Sequence, residues 1–78
     1  MRAFRDEQGQ SWSASIGRES YGMLVVLLVP EGGDGVRKAM LAAETRLEAQ
    51  QELQALSESD LRERLEASVP WEQPQLNG

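Results

Sequence analysis

Histidine and cysteine are both missing from this 78-residue chain, and lysine occurs once, at Lys38. Without cysteine there is no disulfide to staple the fold and no thiolate nucleophile. With histidine absent as well, a structural zinc site has lost its usual ligands. General acid–base work would fall to carboxylates, hydroxyls or that one lysine. Aromatics are scarce too, Phe4, Trp12, Tyr21 and Trp71 being the whole set. No apolar stretch approaches the roughly 20 residues that a membrane-crossing helix needs. The opening Met1-Arg2-Ala3-Phe4-Arg5-Asp6 lacks the apolar core of an export signal. These absences lead to the expectation of a soluble, cytoplasmic protein with no membrane contact, no cofactor, no metal site and no catalytic residue, hence not an enzyme.

What the chain does contain is acid. Eight basic residues stand against thirteen acidic ones, a formal charge of −5. Phosphate neutralisation needs several Lys and Arg together, so this balance is a poor match for nucleic acid as the main partner. The composition, 40% hydrophobic and 27% charged, is that of a globular domain. One small domain is expected over 1–70. A flexible tail is expected over 71–78, where Pro74 follows Pro70 without periodicity. A chain this short buries only about 60% of the surface its unfolded form exposes. Oligomerisation is then the common reinforcement left to it.

The strongest local signal is the run of seven apolar residues from Met23 to Val29, bracketed by Gly22 and Pro30. Its β-branched content reads as a strand buried on both faces. Upstream, Ser11-Trp12-Ser13-Ala14-Ser15-Ile16 alternates strictly, with the serines on one face and Trp12, Ala14 and Ile16 on the other. Asp6-Glu7-Gln8-Gly9-Gln10 supplies a three-residue turn with Gly9 at its left-handed position, which sets Phe4 opposite Trp12. Three strands in meander order follow from this, leaving the apolar strand on an edge, where either the first strand folds back beside it or a symmetric partner covers it.

Glu31-Gly32-Gly33-Asp34-Gly35 ends the sheet, and Asp34 reads as the N-cap of a long helix. Val36, Met40, Ala43 and Leu47 would form its buried stripe, with a departure or kink near Ala49. Ser57 caps a short second helix, with Asp60 in its first turn, Leu56 and Leu61 as a hydrophobic staple, and Glu58–Arg62 and Asp60–Arg64 at four-residue spacing. The fold expected is therefore α+β: a three-stranded antiparallel sheet, a long helix and a short C-terminal helix.

The pattern Phe4-x-Asp6-x-x-Gly9-x-x-Trp12, followed by a Gly-Arg loop, an apolar strand and Leu56-Ser57-x-x-Asp60-Leu61, resembles a group of short bacterial proteins of unknown function. Such chains open with an F-x-D-x-x-G-x-x-W hairpin and close on an L-[ST]-x-x-[DE]-L helix. The resemblance covers positions 4 to about 65. It implies the small mixed fold and carries no activity.

Glu44, Glu48 and Glu52 lie four apart and read as a solvated acidic face rather than a cation site. Gly32-Gly33-Asp34-Gly35-Val36-Arg37-Lys38 lacks phosphate-loop spacing and reads as a turn. Phe4 and Trp12 share a face with Ala14 and Ile16, so they read as core rather than as a base-stacking platform. Trp71 is either packed over the helix ends or an anchor for another protein. The function expected is a non-catalytic protein–protein interaction module forming a homodimer or binding another protein. The apolar third strand would serve, with Leu24, Val26, Leu28 and Trp71 as interaction residues. The alternative is a nucleic-acid-associated regulator using Arg2, Arg5 and Arg18.

Overall fold

Period-two alternation in the serine-rich segment pleats it into a strand with one core face. The rest of the fold is built outward from there. The computed structural model describes residues 1–19 and 21–71. Its elements are β1 (Arg2–Arg5), β2 (Ser11–Arg18), β3 (Leu24–Pro30), β4 (Arg37–Met40), α1 (Arg46–Ala55), α2 (Glu58–Glu66) and β5 (Val69–Pro70). The strands form one antiparallel sheet in the order β1-β2-β3-β4-β5. Helix α1 packs against β2 and β3, and α2 against β1 and β4. The class is α+β, with both helices following the main strands. The sheet, however, has five strands rather than three.

The first hairpin forms in the expected register. Phe4 pairs with Trp12, and Gly9 sits at φ 86°, a conformation that glycine adopts without a Cβ penalty. The Asp6 carboxylate organises the turn: Oδ1 accepts from the Gln8 and Gln10 amides, and Oδ2 accepts from the Trp12 indole N–H at 2.9 Å. That indole bond gives the F-x-D-x-x-G-x-x-W spacing a physical basis.

Between Asp34 and Thr45 the expected helix gives way to strand and loop. Arg37–Met40 pairs with β3, Val26 facing Ala39 and Leu27 facing Lys38. The row of backbone groups on the open side of β3 needs partners, and Gly32, Gly33 and Gly35, all at positive φ, turn the chain back to supply them. Asp34 is therefore not a helix cap. The first helix starts at Arg46, capped by Thr45. The Thr45 Oγ1 accepts from the Glu48 amide at 3.1 Å, and Glu48 Oε1 accepts from the Thr45 amide. Leu47, expected on the buried stripe, is 69% exposed, while Ala49 and Leu53 are buried. The second helix has the expected Ser57 cap, with Asp60 reciprocating. Leu61 is buried, Leu56 packs against the core, and Glu58 pairs with Arg62 at 3.4 Å. Arg64 reaches Glu52 at 3.6 Å instead of serving mainly Asp60.

With β4 in place, β3 is the central strand and not an edge. Leu24, Val26 and Leu28 lie in the core with Phe4, Ala14 and Ala39 from the sheet, Leu41 just after β4, and Ala49, Leu53 and Leu61 from the helices. Burial on this face, at roughly 25 cal/mol per Å² of apolar area, is the main favourable contribution to folding. Val69 and Pro70 form the fifth strand, directly after the second helix. Trp71 follows them, its amide donating to the Val36 carbonyl at 2.9 Å. The remainder of the expected tail, 72–78, lies outside the described residues. Among the described residues no helix is long and apolar enough to cross a membrane.

Candidate functional site

Strand register divides the sheet into two faces. Even-numbered positions of β1 to β3 and odd-numbered positions of β4 point to the helices. The reverse set forms a face that, among the described residues, has no helix over it: Ala3 and Arg5, then Ser11, Ser13, Ser15 and Gly17, then Val25, Leu27 and Val29, then Lys38 and Met40, then Val69. Val25 is 0% exposed yet stands apart from the core cluster beneath the helices. Leu27 and Val29 are half-buried, and Met23, Met40 and Val69 are exposed. Gly17 is what lets this face lie flat, because a Cβ there would come within 2.6 Å of Leu27 Cδ1.

Lys38 lies in the middle of this face. Its ammonium is bonded to Glu19 and stands 5.6 Å from the ring centre of Trp71, a cation–π distance. Trp71 is thus half-buried at the margin of the open face, not over the helix ends. Paired with Glu19, Lys38 adds no net charge. The face is apolar over β3 to β5 and hydroxyl-lined over β2, while nearly all carboxylates lie on helices and loops.

Both edges of the sheet are blunted. Asp6 donates its amide to Gln10, so ladder alternation turns the backbone groups of Arg5 outward. There the Arg5 amide donates to Glu58 Oε2 at 3.2 Å, and its carbonyl accepts from Arg62 Nε at 2.7 Å. On the opposite side, the Trp71–Val36 bond turns Pro70 outward, a residue with no N–H to offer. Beyond β5, the Met40 carbonyl accepts from Arg64.

Five of the seven arginines donate to main-chain carbonyls. Arg2 donates to Leu53 and Leu56 at the end of α1, Arg18 to Gly22, Arg37 to Ser68, Arg62 to Arg5 and Arg64 to Met40. Arg2 and Arg18 point to the helix face and Arg5 to the other, so the structure does not gather these three onto one surface.

The carboxylates do not converge either. Glu44 precedes α1, Glu48 is committed to its cap and Glu52 to Arg64. Among the described residues no group of three ligating side chains could hold a metal ion. Two shallow hollows of about 210 and 530 Å³ share Asp6, Glu7, Arg62 and Glu66 beside the first turn. Asp6 is held below the ordinary 3.8, most of all by the Trp12 indole, and Asp60 likewise by the Ser57 amide and hydroxyl. Both are anionic caps, the opposite of a carboxyl poised as a general acid.

Sequence reasoning had singled out the row of β3 that the helices cover, and passed over the row that they leave open. The signal for the second was available: a seven-residue apolar run has two faces, and the three serines of β2 mark which one meets water. No family model, curated protein or solved structure matches the chain.

Proposed function

We propose that this protein is a small, non-catalytic interaction module that self-associates through the outward row of its central strand. The observation that carries this reading is the open face itself, apolar along Leu27, Val29, Met40 and Val69, on a sheet whose edges are capped. Charge depletion around an apolar centre is the composition of interface cores. A second copy is the occupant that fits. Two chains of −5 repel least where they meet through a patch without unpaired carboxylates, and the strand positions of this face carry no carboxylate.

The size of the face sets the expected strength. A strand of eight residues, about 26 Å, and four inter-strand spacings, about 19 Å, bound the face at about 500 Å² per copy and about 1,000 Å² for a pair. That lies at the weak end of specific interfaces, so the dissociation constant should fall between about 10 µM and 1 mM. Sedimentation velocity over a concentration series tests it. The reading requires a reversible shift from monomer to dimer, and a strict monomer throughout the range removes it. The nucleic-acid alternative loses two of its three arginines, because Arg2 and Arg18 are spent on main-chain carbonyls and Arg5 points to the other face.

A further inference from the structure

Resting on that self-association, we infer that the two copies meet about a two-fold axis running across the strands, so that each strand lies over its own counterpart. One rung of the sheet distinguishes the possible axes. Ser15, Leu27, Lys38 and Val69 are successive partners across β2, β3, β4 and β5 and all face the open side. Along this rung the surface changes from hydroxyl, through leucine and the Lys38–Glu19 pair, to a valine that is 50% exposed.

A two-fold axis that brings two such faces together must lie in the plane between them, and two directions matter. An axis along the strands reverses the rung. Ser15 then lies over the partner's Val69, and the Lys38 ion pair is pressed onto Leu27 of the partner subunit. That arrangement dehydrates hydroxyls against valine, an uncompensated polar burial, and covers an ion pair with leucine. An axis across the strands leaves the rung in order. Serines then meet serines, which can bond to one another or to shared water. Leu27 and Val69 meet their own copies, and each lysine arrives with its own Glu19. At the end of the face, Met23 and Met40, 43% and 56% exposed, are unbranched and polarisable enough to fill the gaps left where twisted sheets diverge.

Because the chain has no cysteine, single cysteines report the axis cleanly. Ser15→Cys and Val69→Cys are each treated with a bis-maleimide matched to the ~10 Å spacing of packed sheets, alone and as a mixture. Leu47→Cys, on the exposed side of α1, measures random collision. The inference expects each variant alone to cross-link to itself, on the order of tenfold faster than Leu47→Cys, with no excess of the Ser15–Val69 product in the mixture. Cross-linking that appears only in the mixture overturns the transverse axis and leaves self-association standing. No cross-link above the Leu47→Cys rate, together with a monomer in sedimentation, overturns both.

Discussion

Arg62 and Arg64 stand two residues apart on α2 and close opposite margins of the sheet. The Arg62 Nε donates to the Arg5 carbonyl on β1, and an Arg64 guanidinium nitrogen donates to the Met40 carbonyl on β4. Positions two apart point about 200° from one another around a helix, so one short helix reaches both sides of the sheet beneath it. Unpaired strand edges recruit other chains. These two side chains, with Glu58 on the Arg5 amide and Pro70 on β5, leave little edge to recruit with.

Removing both caps should therefore cost more than stability. The double substitution Arg62→Ala, Arg64→Ala is expected to lower the unfolding free energy by about 1–2 kcal/mol, two hydrogen bonds at ordinary net value. It should also produce thioflavin-positive aggregates on storage. Urea denaturation and a thioflavin time course check the two effects, and unchanged solubility would separate the arginines from edge protection.

The two rows of β3 should respond differently. Leu28→Ala, at a fully buried position under the helices, is expected to cost about 3 kcal/mol. Leu27→Ala, half-buried on the open face, should cost less than half of that and yet weaken the dimer. Paired denaturation and sedimentation measurements on the two variants decide it.

Gly17 and Leu27 should be energetically coupled. Gly17→Ala drives a methyl into the space of the Leu27 side chain, at 2.7 Å from Cγ. An off-rotamer leucine costs about 1 kcal/mol. The same substitution in a Leu27→Ala background should be neutral or stabilising, since alanine suits a strand better than glycine. A double-mutant cycle reads the difference.

Acid should remove two turn anchors. The folded-state pKa values of Asp6 and Asp60 lie below the ordinary 3.8, so as pH falls the unfolded chain takes up these protons first. Their contribution is present above about 3.8 and is lost as pH drops through the lower folded values. Asp6→Asn should flatten the acid limb of a stability–pH profile. Trp12→Phe should flatten it partly, because the indole is the leading cause of the Asp6 shift. An unchanged limb in Asp6→Asn would show that the acid loss arises elsewhere.

How far the sequence could be read depended on the range of the interactions. The Phe4–Trp12 register, Gly9 and the Ser57–Asp60 cap were legible because each is settled within a few residues. The segment from Val36 to Leu47 was misread because apolar residues four apart suit a helix as well as a short strand followed by a loop. The deciding signal, Thr45 with Glu48 three residues on, is a capping box that places the true helix start. The position of β4 beside β3 and the reach of Arg62 and Arg64 are tertiary facts that no local pattern holds. The site was half legible: the strand was found, but which of its rows met water depended on where the helices came to rest.

The central claim is that the open face, and neither an edge nor the helices, is where a second copy binds. Methyl-resolved NMR spectra recorded on dilution from about 1 mM to about 10 µM test this most directly. Concentration-dependent shifts should fall on Leu27, Val29, Met40 and Val69 and spare Leu24, Val26, Leu28 and Leu47. Shifts centred on Leu47, or no shift at any concentration, would contradict the account.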